Sequence, residues 1–194
     1  MSEENFSPQQ SLALIQNMIS KARQDVTDGS KYFLLWGWLT VAVILGQFIL
    51  KVIVKYPHHY YVWFLLIIGI AINIYWKRAD GKKIKVKTYI SESMEFLWSG
   101  MGVTFLVISL LFIKIGYHYC YPFYILLYGL GTFVTGKILK FKPFIFGGFC
   151  AWVLSIAAVQ FNFDYQMLFA VAALLISYII PTYIFRMKNK NQTT

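Results

Sequence analysis

The stretch Phe33-Leu34-Leu35-Trp36-Gly37 opens an apolar run that passes through an aromatic tip and continues to Trp76. The same opening returns as Phe96-Leu97-Trp98-Ser99-Gly100 and as Phe144-Ile145-Phe146-Gly147-Gly148. Each copy begins an apolar run, turns at a short aromatic tip, and closes with a second run ending near Lys or Arg. Six runs result, at 32–54, 59–76, 96–115, 121–139, 143–160 and 165–185. A helix rises about 1.5 Å per residue, so about 20 residues cross a hydrocarbon layer of about 30 Å. None of the runs alternates apolar and polar residues as a barrel strand does. The expected fold is an all-α integral membrane protein. Its six transmembrane helices form three αα-hairpins, behind a cytoplasmic amphipathic helix.

Composition supports that class. The chain is 58% hydrophobic and 13% charged, whereas soluble domains carry about 25% charged residues. A net charge of +10 raises the question of nucleic acid, but the charges sit in the gaps between apolar runs. That distribution follows membrane topology. The length fits one domain: a segment 1–30, a membrane domain 31–187 and a basic tail 188–194. Of the 18 Lys and Arg residues, only Lys51, Lys55 and Lys114 fall on one side of the runs. The positive-inside rule therefore puts both termini in the cytoplasm. Residues 1–30 lack the basic and apolar regions of a signal peptide. Cys120 and Cys150 form no CxxC pair or disulfide framework.

Ser7-Pro8-Gln9-Gln10 reads as an N-cap, a proline at the first helical position and a capping-box glutamine. Leu12, Ile15, Ile19, Ala22 and Val26 then recur at helical spacing, widened by Leu14 and Met18. Asp28-Gly29-Ser30 is expected to stop this helix at about residue 28. Such a helix over 8–28 can lie among lipid headgroups, pack on the protein's own loops, or bind a partner or a second copy.

Aligned on Phe33, Phe96 and Phe144, the three hairpins share a column Gly37, Gly100 and Gly148, and a second column Gly46, Ser109 and Ala157. Small residues let membrane helices approach closely, so these six are the packing candidates. The match reads either as a pseudo-repeat or as chance among Phe- and Gly-rich helices.

The sequence offers few chemical groups. Lys77, Arg78, Lys82, Lys83, Lys85 and Lys87 form a cationic loop that either contacts anionic headgroups or simply enforces topology. Ser91 or Ser93 is the expected cap of the third span. His58, His59 and His118 lie at the aromatic tips beside Cys120 and Asp164. There they belong to an aromatic boundary belt or, as weak candidates, to a metal or haem site. No cofactor is expected. No ionisable group lies near the middle of a span, and no metalloprotease, nucleophile-elbow or P-loop motif occurs. Gln47 and Asn73 are the residues that could line a path for a neutral solute. Pro181 should kink the last helix.

The order of an amphipathic helix, Tyr32-Phe33-Leu34-Leu35-Trp36-Gly37-Trp38 and several spans resembles small uncharacterised bacterial multi-pass inner-membrane proteins. That resemblance implies a topology and no activity. The functional expectation is a non-enzymatic membrane module that docks or regulates a partner through residues 8–28. The alternative is a small transporter or channel for a neutral solute. The expected partners are the bilayer, its anionic headgroups and a protein, with no nucleic acid.

Overall fold

A computed structural model describes residues 8–80 and 89–190. Among the described residues every regular element is helical. Helix α1 (Pro8–Phe48) ends in a π turn, Ile49–Ile53. A 3₁₀ segment, His59–Phe64, leads into α2 (Leu65–Asp80), followed by α3 (Tyr89–Ile115). Then come α4 (Cys120–Ile138), α5 (Lys142–Ala158) and α6 (Phe163–Leu174). A second π turn, Leu175–Ile179, joins α6 to α7 (Ile180–Lys190).

Four helical stretches are long and apolar enough to cross a membrane: Gly29–Ile53, His59–Trp76, Tyr89–Ile115 and Phe163–Asn189. The remaining two runs behave differently. Helix α5 is apolar but only 17 residues long. Helix α4 buries Gly129, Gly131, Thr132, Thr135 and Gly136, so much of its surface serves the interior of the bundle rather than an apolar exterior.

The helix expected to stop at Asp28-Gly29-Ser30 does not stop. Helix α1 runs unbroken for 41 residues, about 60 Å at 1.5 Å per residue. Glycine inside a helix costs about 1 kcal/mol, and tertiary contacts on both sides of Gly29 outweigh it. Beyond it, Ser30, Leu34, Gly37, Val41 and Ile44 are buried at three- and four-residue spacing. Before it, the Arg23 guanidinium donates to the carbonyls of Leu139 (2.8 Å) and Lys140 (3.0 Å). These carbonyls lie at the C-terminus of α4, where a cation also complements the helix dipole. Asn189 donates to Thr27 (3.1 Å), and Ser91 donates to Asp25 (2.7 Å). Arg23→Gln should therefore lower stability by about 1–2 kcal/mol. Thermal unfolding in detergent, with the exposed Arg78→Gln as control, measures this.

Those bonds also correct the expected cap of the third span. Ser91 and Ser93 both lie within α3, Ser91 is engaged with Asp25, and Ser93 donates back to the Tyr89 carbonyl. Pro181 lies within the last helical run. The helical run continues through Pro181, and the perturbation takes the form of the π turn just before it.

The core is a close sandwich around α5. A Cβ on Gly148 would lie 2.8 Å from the Gly129 carbonyl oxygen of α4 and 2.7 Å from Phe133 Cβ. One on Gly147 would lie 2.8 Å from Ser177 Cα, within the π turn. One on Gly136 would lie 2.7 Å from the Ile145 nitrogen. Adjacent glycines thus face two different neighbours, and α5 wedges between α4 and the α6–α7 run. Gly37 of α1 meets the same π turn, against Ile179 and Tyr178. Helix α2 runs antiparallel along α1: Gly46 meets Val62, Gly69 meets Leu39, and Tyr32 stacks edge-on against Trp76.

Candidate functional site

Two features stand apart from simple packing, at opposite ends of α1. The first is an arm, residues 8–20, that precedes the span beginning at Gly29. Leu12, Leu14 and Ile15 are 58%, 52% and 50% exposed, although their spacing makes an apolar stripe. Apolar side chains on α2 and α3 are exposed as well, but those helices are of membrane length and lipid can cover them. The arm lies outside the membrane-length stretch. Met18 and Ile19 of the same stripe are half-buried, and among the described residues the helix packs on the protein's own helix ends at its root, Arg23 to Thr27.

The second feature is a polar node where the tips meet. Gln47 is 4% exposed. Its Oε1 accepts from the Tyr121 hydroxyl (2.7 Å) and from the indole N–H of Trp63. Both are donors to that oxygen, which orients the amide and turns Nε2 toward His59 Nδ1 at 3.2 Å. Nδ1 must then accept, so His59 is in the tautomer with its proton on Nε2. One turn further along, Lys51 forms an ion pair with Asp164 of α6 and lies 4.5 Å from the centre of the Phe163 ring. Tyr121 in turn packs on Phe163. The node therefore ties α1, the 3₁₀ segment, α4 and α6 together. The partly exposed ion pair adds little by itself.

The residues singled out from the sequence distribute as follows. Asn73 is half-buried on α2 and lies ten residues past Trp63, about 15 Å along the axis. Gln47 and Asn73 are thus not brought together. His58 stacks on Tyr61 and bonds to Tyr60, His59 engages Gln47, and His118 lies edge-on to Tyr119. Among the described residues no three His, Cys, Asp or Glu side chains converge on a metal position. In the cationic loop Arg78 is exposed, while Lys82, Lys83, Lys85 and Lys87 lie outside the described residues. Of the glycine column, Gly37 and Gly148 make close contacts, whereas Gly100 meets nothing within 4 Å. In the second column Gly46 meets Val62, Ser109 pairs with the Tyr124 hydroxyl (2.7 Å), and Ala157 is half-buried. The aligned phenylalanines divide likewise, with Phe144 inside and Phe96 outside.

What sequence reasoning missed is the partnership of Gln47 with Tyr121 and of Lys51 with Asp164. The available signal was one unlike-charged pair at two of the tips. Fold and composition together define an all-helical protein carrying several membrane-length apolar helices. No protein-family model matches the chain, and no curated protein or solved structure matches it.

Proposed function

We propose that the protein is a non-enzymatic, multi-pass membrane protein that acts as an interaction or regulatory module through its N-terminal arm. The observation that carries this reading is the continuity of α1 from an exposed apolar stripe into a buried seam. A helix lying among headgroups needs a sharp turn before its span, and α1 has none. Ile15 is 14 residues from Gly29, about 20 Å of helix. The headgroup layer is only about 5–8 Å deep, and a tilt of about 20° barely shortens that reach. Lipid thus leaves the stripe uncovered, and a protein surface is the natural cover.

In this reading α4 and α5 are the two further spans, giving six in three hairpins with both termini in the cytoplasm of a bacterial cell. The Lys and Arg asymmetry supports that orientation. The shortness of α5 is tolerable because it is wedged between longer neighbours.

The test is the double variant Leu12→Lys with Ile15→Lys, compared with the parent chain in membranes by site-directed crosslinking at the arm. Crosslinked partner should disappear, while thermal stability stays within about 0.5 kcal/mol because both side chains are exposed. Undiminished crosslinking would count against the arm. Solute flux in reconstituted vesicles that is unaffected by these substitutions would favour the transporter alternative.

A further inference from the structure

The end of the bundle that carries the root of the arm also holds a cavity of about 300 Å³, between α4, α5 and α7. Arg23, Lys140, Lys142 and Lys188 line it together with Phe141 and Ile184, and among the described residues no Asp or Glu lines it. Four cations around one concavity repel each other until an anion joins them. Arg23 uses two of its N–H groups on the α4 carbonyls, and a guanidinium carries five, so donors remain for a ligand.

Lys140 stands in the left-handed region, at φ 49°. It follows the C-terminus of α4, and Phe141 N bonds back to Gly136 O (2.9 Å). That is the position where helices favour glycine. A lysine held there carries a conformational cost that packing does not repay, because its side chain is exposed.

Depth and shape narrow the anion. Lys188 belongs to the last turn of the membrane-length stretch Phe163–Asn189, and Arg23 precedes Gly29, the first residue of another. The cavity is therefore level with the membrane–water boundary. Ile180, Ile184 and Lys188 share one face of α7 at four-residue spacing, and Ile180 and Ile184 are exposed. An apolar track thus leads from the cations along the membrane-length stretch. A free phosphate has no use for such a track, whereas an acyl chain does.

We propose that this cavity binds the phosphate headgroup of an anionic phospholipid, with its acyl chains along Ile184 and Ile180. The test is native mass spectrometry of the purified chain with phosphatidylglycerol, with phosphatidylcholine and with inorganic phosphate. Lys140→Gln, Lys142→Gln and Lys188→Gln are combined, and Arg23 is kept because it caps α4. The parent chain should retain one phosphatidylglycerol, and the triple variant should bind it on the order of 100-fold more weakly. The corresponding triple arginine variant should restore binding, and phosphatidylcholine should not be retained. All three lysines are exposed, so an unchanged unfolding temperature confirms that the variant is folded. Equal retention by the variant, or equal retention of phosphatidylcholine, overturns the proposal. Binding of inorganic phosphate without phosphatidylglycerol overturns the lipid assignment and makes the cavity a site for a soluble phosphate.

Discussion

Gly148→Ala should destabilise the protein by about 2–3 kcal/mol, whereas Gly100→Ala should be neutral or slightly stabilising, although the two occupy the same column of the repeated opening. At Gly148 the added methyl would meet the Gly129 carbonyl at 2.8 Å and Phe133 Cα at 3.0 Å. Both are backbone atoms, so no rotamer change makes room and α4 must move away from α5. The methyl itself offers little in return, because small-residue contact between membrane helices depends on close approach. At Gly100 the methyl meets nothing within 4 Å, and the helix gains up to about 1 kcal/mol of propensity. Chemical or thermal unfolding in one detergent compares them directly. Equal effects at both positions would mean that the close α4–α5 contact is not what holds the bundle together.

That contrast shows what the sequence could convey. Apolar runs of membrane length are a local property, and the runs at 32–54, 59–76, 96–115 and 165–185 largely coincide with the stretches Gly29–Ile53, His59–Trp76, Tyr89–Ile115 and Phe163–Asn189. Which face of a run carries its small residues toward a neighbour depends on rotation about the helix axis. Phe33 and Trp98, each from one copy of the opening, pack on each other with ring centres 5.6 Å apart. Phe96 instead points outward. The alignment of letters therefore did not translate into equivalent positions in space.

The break at Gly29 failed for a related reason. Asp-Gly-Ser is a sound local stop signal, but the Arg23 cap on Leu139 spans 116 residues, and no window of sequence contains it. The apolar spacing of Leu12, Ile15 and Ile19 was legible, yet only the unbroken helix separates a headgroup-lying helix from a projecting one. The tip residues were legible as aromatic and polar, and their partners were not.

Gln47→Leu, the other large effect, should lower stability by about 3–4 kcal/mol. Leucine fills most of the volume but strands three groups: the Tyr121 hydroxyl, 1% exposed, the Trp63 indole N–H and His59 Nδ1. An unsatisfied buried polar group costs about 1–3 kcal/mol. Gln47→Glu keeps an acceptor for Tyr121 and Trp63 but loses the donor to His59 and buries an ionisable carboxyl, so it should fall between parent and leucine variant. Asn73→Leu, about three helical turns away, should stay within about 1 kcal/mol. Thermal unfolding orders the variants, and Trp63 emission, taken as the difference from a Trp63→Phe chain because the protein has six tryptophans, reports whether the indole has lost its partner. If Gln47 served a solute path instead, its substitution would alter flux with little loss of stability. A stable Gln47→Leu protein with unchanged Trp63 emission would therefore remove the node as the clasp of α1, α4 and α6.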